Sequence, residues 1–269
     1  SSENIEKSFF ILNKYVKAVC NRSVNGLILE SETGLGKSHN VLKAINESGK
    51  KFVYCCGYTT PLELYHFLYE NKDKVIFFDD TKNIFSSKCG LEILKSCLFS
   101  VNDKRLVRYS TTSTKLKVPN QFIFEGGLIV SVNELGWKKD EDLKAVVDRV
   151  LYYKIKFSYY EKMKVIKEDY KNSTQEDRQL VFDYLKKNTS KSTENLNFRL
   201  FFKLIDVYLF DKENFKKLSK NLIRTNKEID ILYEVLDKSN SIKEAQVSWC
   251  EETGKHRATF YRLKKQVVN

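Results

Sequence analysis

The sequence predicts an α/β protein: a parallel five-stranded sheet flanked by helices, then an α-helical lid and a C-terminal helical module. Three observations predict it. Short apolar runs of strand length recur five times up to residue 157, helix-like segments separate them, and strand-like runs then stop. The expected domains are 1–157 for the α/β core, 158–224 for the lid and 225–269 for the module. A chain of 269 residues has room for a core and small appended domains.

The expected strands are 27–30, 51–56, 75–79, 127–132 and 150–157. Most are continuously apolar, as strands covered on both faces are. The intervening helices are expected near 38–48, 61–71, 89–100 and 140–147. Beyond them, helices are expected over 159–171, 175–187, 195–210, 212–219, 228–238, 241–253 and 257–267. The polar run 186–193 reads as a loop.

Between the first strand and the first helix lies Ser31-Glu32-Thr33-Gly34-Leu35-Gly36-Lys37-Ser38-His39. Strand, glycine loop, Gly-Lys-Ser and helix form the order of a phosphate-binding P-loop. Backbone N–H groups of residues Thr33 to His39 can point at phosphate oxygens, and the helix N-terminus favours an anion. Lys37 can reach the terminal phosphates of ATP, and Ser38 can ligate Mg²⁺. Ser31 stands where a first glycine is usual, which is expected to cost backbone freedom.

The third strand ends in Asp79-Asp80. A carboxylate at the carboxyl end of a parallel strand faces the ligand crevice. Asp79 is a candidate Mg²⁺ ligand, and Asp80 a candidate general base for the attacking water; the plainer alternative is an exposed turn. The fourth strand ends in Asn133, whose amide can bond the water or the γ-phosphate, or can simply make a turn. Arg149, in Asp148-Arg149-Val150 before the fifth strand, is a candidate arginine finger or a surface partner of Asp148.

Taken in order, Gly34–Ser38, Asp79–Asp80, Asn133 and Arg149 resemble the successive motifs of the AAA+ ATPase family, over about residues 5–210. The resemblance implies ATP and Mg²⁺ as cofactors, ring or helical self-association, and ATP hydrolysis at subunit interfaces. It also implies that Arg199, in Asn197-Phe198-Arg199-Leu200-Phe201, is similar to the family's second sensor and contacts the subunit's own nucleotide. Most family members have Glu where Asp80 stands, so slow turnover is expected. The segment 104–125 is β-rich with a polar centre, where some members place a pore-facing hairpin. Arg105, Arg108, Lys115 and Lys117 would suit a phosphate backbone there, or be ordinary surface charges.

Residues 228–267 read as three helices, with a tight turn at Thr253-Gly254-Lys255-His256 before a basic last helix. That order is a helix-turn-helix pattern, and 253–262 resembles recognition helices of small bacterial and phage DNA-binding domains. Arg257, Thr259 and Arg262 could meet bases or phosphates, and Lys255, Lys264 and Lys265 phosphates. Phe260 and Leu263 should face inward. The alternative is a protein-docking module.

The net charge of +12 favours a polyanionic partner. It is unevenly spread: +4 over residues 1–150 and +8 beyond. Six cysteines without Cys-x-x-Cys spacing predict reduced, mostly buried thiols in a cytoplasmic protein. No membrane-spanning or signal segment is expected, and the start without Met predicts a processed N-terminus. A bias toward Lys, Asn, Tyr, Phe and Ile fits an AT-rich phage or mobile element.

The expected role is therefore an AAA+ ATPase coupled to DNA, in replication initiation or helicase loading, with a helicase or other replication or recombination protein as a possible partner. Two alternatives stand beside it. One is an ATP-switched DNA-binding regulator or transposition accessory factor with weak hydrolysis. The other is a protein-remodelling ATPase whose C-terminal helices dock a protein.

Overall fold

The computed structural model describes residues 2–57, 60–110, 117–137, 140–168 and 174–268. The chain forms two compact units, Ser1–Lys156 and Phe157–Asn269.

The first unit is built on five parallel strands: β1 (Gly26–Ser31), β2 (Phe52–Cys56), β3 (Val75–Asp79), β6 (Gly127–Val132) and β7 (Leu151–Ile155). Their order across the sheet is β2-β3-β6-β1-β7. The strands β1, β3 and β6 are buried along their whole length, which explains their mainly apolar sequences. The edges β2 and β7 are half-buried. The helices α2 (Lys37–Glu47), α3 (Pro61–Glu70), α4 (Lys88–Leu98) and α5 (Glu141–Val147) connect them. Thr60 and Glu63 form a reciprocal capping box at the start of α3. Ser87 and Asp140 cap α4 and α5.

The expected elements begin at the first strand, yet α1 (Ser2–Cys20) precedes it as a 19-residue helix. Leu12, Val16 and Val19 are fully buried on it, each burial contributing roughly 1.5–3 kcal/mol. The helix packs against α2 and the β1–β6–β7 side of the sheet. The 104–125 segment contains an antiparallel pair, β4 (Leu106–Arg108) with β5 (Gln121–Ile123). The expectation for Arg105 is corrected: it is buried, donates to the Cys97 carbonyl at 3.0 Å and lies over the Phe124 ring. The cysteine expectation is also corrected. All six are free, but only Cys20 and Cys97 are buried, while Cys56 and Cys89 are exposed.

The second unit is helical: α6 (Tyr159–Glu168), α7 (Gln175–Asn188), α8 (Phe198–Phe210), α9 (Phe215–Ser219), α10 (Lys227–Lys238), α11 (Ile242–Thr253) and α12 (Arg257–Val268). The last three pack around the fully buried Trp249 and Phe260, with Leu232, Val235, Ala245 and Leu263. The Trp249 indole donates to the Glu228 carbonyl at 2.8 Å, so the one polar atom of that ring is satisfied. Asp230 on α10 accepts hydroxyl bonds from Ser190 and Ser192, tying α10 to the loop after α7. No described helix is long and apolar enough to cross a membrane.

Candidate functional site

The loop after β1 begins without strain. Ser31 is the last residue of β1, where extended backbone suits any residue, so the expected cost of a serine there is absent. Left-handed backbone is needed further on, at Gly34 (φ 72°) and Gly36 (φ 78°). Both are glycines because a Cβ would be strained there. Leu35 between them is buried and anchors the loop to the core. Gly36 ends the loop at the N-terminus of α2, which carries no side-chain cap. His39 is exposed, and Thr33 and Ser38 are half-buried.

Lys37 is buried, and its ammonium donates to the Ser31 carbonyl at 3.2 Å and the Val132 carbonyl at 3.1 Å. It also donates to Asn133 Oδ1 at 3.1 Å. The amide nitrogen of Asn133 donates in turn to Asp80 Oδ1 at 3.0 Å. Lys37, Asn133 and Asp80 are thus linked through one amide that uses both its ends. Strand register makes this possible. β3 and β1 flank β6 in parallel, with Asp79 opposite Ser131 and Glu30 opposite Val132, so three strand ends converge.

Asp80 is one of four described non-glycine residues with positive φ, at 53°. Its N–H donates to the Ser131 carbonyl at 3.1 Å. Aspartate tolerates this left-handed conformation better than most residues. Asp79 is buried, and each carboxylate oxygen has a hydroxyl donor: Ser131 on Oδ1, and Tyr54 on Oδ2 at 2.9 Å. Burial, then the bond to Asp79, pushes the Tyr54 hydroxyl up to about 12, so it remains a protonated donor at neutral pH. Among these groups, the Ser38 hydroxyl and the Asp79 carboxylate are hard oxygen ligands of the kind that suit Mg²⁺.

Sequence reasoning missed a neighbouring cluster. Glu30, buried at the end of β1, accepts from Tyr152 at 2.8 Å and from Lys154, both on β7. It also accepts from the Leu135 backbone, two residues beyond Asn133. Burial pushes its carboxyl upward, but the bonds from Lys154, Tyr152 and Leu135 outweigh this and hold it below the ordinary carboxylate value. A lone Glu inside an apolar strand was the available signal.

Arg149 is not part of this constellation. It precedes β7, whereas Lys37, Asp80 and Asn133 follow the ends of β1, β3 and β6. In a parallel sheet these are opposite edges, and a five-residue strand spans ~17 Å. Its guanidinium donates to the Ala145 carbonyl and lies over the Phe99 ring. Arg199 belongs to the second unit and is exposed on the first turn of α8, which Asn197 caps.

The basic residues divide by location. Arg257, Arg262 and Lys265 are exposed on α12, Thr259 and Lys264 are half-buried, and exposed Lys255 lies 3.6 Å from Glu228. Phe260 and Leu263 are buried, as expected. Arg108 and Lys117 are exposed near the β4–β5 pair, and Lys115 lies outside the described residues.

No protein-family model matches the chain. It is 24% identical over 240 residues to an uncharacterised 36.7 kDa protein from the nrdC–mobD intergenic region of enterobacteria phage T4, covering 80% of this chain and 73% of that one. Among solved structures, it is similar to the Thermotoga maritima RuvB Holliday junction branch migration motor. The TM-score is 0.51 at 14% identity, over 99% of this chain and 87% of that one. A proline-to-glycine mutant of the same RuvB gives a TM-score of 0.52 at 14% identity, over 99% and 88%. With its parallel sheet and a glycine loop leading from β1 into α2, the chain has the fold of the AAA+ P-loop ATPases.

Proposed function

We propose that this chain is an AAA+ ATPase that couples ATP binding and hydrolysis to DNA, in replication initiation, helicase loading or recombination of a phage or mobile element. The observation that carries the reading is the Lys37–Asn133–Asp80 connection, which ties a phosphate-seeking cation to a carboxylate suited to water. In this reading the loop from Thr33 to His39 encloses the phosphates with backbone N–H groups, and Lys37 exchanges its carbonyl partners for phosphate oxygens. Ser38 and Asp79 would hold Mg²⁺, which would supply positive charge to neutralise the phosphates. Asp80, steadied by Asn133, accepts a proton from water as the water attacks the γ-phosphorus. The bond to the bridging oxygen breaks, releasing ADP and phosphate.

Arg149 stands at the wrong edge of the sheet for its own nucleotide. It therefore stabilises charge on a neighbouring subunit's nucleotide, which requires self-association. Arg199 contacts the subunit's own γ-phosphate. DNA is held by α12 through Arg257, Thr259 and Arg262, with Lys255, Lys264 and Lys265 on phosphates, and by Arg108, Lys115 and Lys117. The RuvB branch migration motor offers a likeness for a DNA-coupled machine, and the T4 relative for a phage setting.

The test is steady-state ATP hydrolysis with and without single- and double-stranded DNA, with Lys37→Ala as control. Turnover stimulated by DNA and lost in Lys37→Ala is expected; turnover that persists in Lys37→Ala would refute the site. The left-handed backbone of Asp80 and its short side chain favour a second reading, an ATP-dependent DNA-binding switch with weak hydrolysis. Tight binding of ATP and DNA with negligible turnover would select it.

A further inference from the structure

Asp79 is held by more than its own strand. Its carboxylate is buried and receives one hydroxyl on each oxygen, Ser131 from β6 on Oδ1 and Tyr54 from β2 on Oδ2. These donors come from the two strands that flank β3, so the carboxylate is clamped from both sides of its own strand. Ser131 lies directly opposite Asp79 in the ladder. Tyr54 lies opposite Phe77, and its hydroxyl reaches two residues along the strand to Asp79. The tyrosine ring packs edge-on against Phe77 at 5.5 Å and is otherwise half exposed on the edge strand.

A tyrosine whose ring is half in solvent has no need of a buried carboxylate to satisfy its hydroxyl, because water can do so. The carboxylate, by contrast, cannot be left buried without donors. The bond therefore serves Asp79. Two fixed neutral donors restrict the carboxylate to one orientation. Each oxygen retains a lone pair for a further partner.

We propose that Tyr54, together with Ser131, is a positioning residue that orients Asp79 toward the divalent cation accompanying the nucleotide. The inference rests on the ATP reading above. Partners of this kind, one shell out from a metal ligand, typically set metal affinity by tenfold or more. Tyr54→Phe keeps the ring and its packing on Phe77 while removing only the hydroxyl, so a purely structural tyrosine would tolerate it.

The experiment measures binding of a fluorescent ATP analogue to the full chain, first in EDTA and then through a MgCl₂ titration. Tyr54→Phe should match wild type in EDTA and need about tenfold more Mg²⁺ for half-maximal enhancement of binding. Ser131→Ala should shift the Mg²⁺ requirement in the same direction. An unchanged Mg²⁺ half-point in Tyr54→Phe, with wild type binding normally, overturns the positioning role alone. Wild type that fails to bind the analogue in either condition overturns the ATP reading, and this inference with it.

Discussion

At the scale of single residues, the site combines groups that sequence order announces with groups that it does not. Asp80 illustrates both. Its place after an apolar strand marks it as a candidate base, but its left-handed backbone emerges only when the turn to Thr81 is formed. Asp80→Asn should keep the fold and ATP binding while abolishing hydrolysis. Asp80→Ala should lose hydrolysis and also be less stable than Asp80→Asn, by about 1 kcal/mol, because alanine lacks the local polar compensation in that conformation. Calorimetry of the two variants checks the difference. Glu30 gives a pH prediction. Its folded carboxyl lies below the ordinary 4.5, so its stabilisation is complete above that value and is lost as pH falls through the folded value. Lys154, raised above 10.5 chiefly by its bond to Glu30, keeps its share of the pair below that value and loses it as pH rises through the raised one. Glu30→Gln should therefore lower the melting temperature at neutral pH, with the gap to wild type closing in strong acid. Tyr54, Ser131 and Glu30 were not legible as site residues, because a hydroxyl or a carboxylate in an apolar strand acquires meaning only from the strand that pairs beside it.

At the scale of elements, what could be read was what depends on local pattern. The five sheet strands fall where largely apolar runs predict them, most clearly in β1, β3 and β6, which are buried on both faces. The helix α1 is absent from the expected elements although Leu12, Val16 and Val19 recur at helical spacing. The glycine loop marks where the candidate site motifs begin, whereas the first unit already contains α1 ahead of it. The ends of the expected strand 150–157 were too generous because β7 stops where its partner β1 ends, at the Ser31–Ile155 pair. The turn between α11 and α12 offers an element-scale test. Gly254 has φ 67° and open space where a Cβ would stand. Gly254→Ala should thus cost only the backbone penalty, about 1 kcal/mol, whereas Trp249→Ala should remove the centre of the three-helix core and cost about 3–5 kcal/mol. Thermal unfolding of both variants would separate backbone strain from lost packing.

At the scale of the whole molecule, the charge of +12 divides evenly, +6 on each unit, and α12 carries exposed arginines beside the buried Phe260 and Leu263. Under the DNA reading, Arg257→Glu with Arg262→Glu should weaken DNA binding at least about tenfold and flatten its salt dependence. ATP binding by the first unit should stay unchanged. Fluorescence anisotropy over a salt series measures this, and unaltered binding would favour a protein-docking module. Mixing Arg149→Ala with Lys37→Ala subunits, each inactive alone, should restore turnover if Arg149 serves a neighbour. If Arg149 does serve a neighbour, it also carries a consequence for assembly. Because it sits at the edge of the sheet where strands begin, and the glycine loop where they end, the chain has a head and a tail. Copies joined through them meet by unlike faces and can be added without limit unless a circle closes. In an open row the terminal chain then presents a nucleotide that no arginine completes, so a filament holds one silent site at a defined end and a closed circle holds none. Polarity of that sort would tell a growing assembly from a finished one.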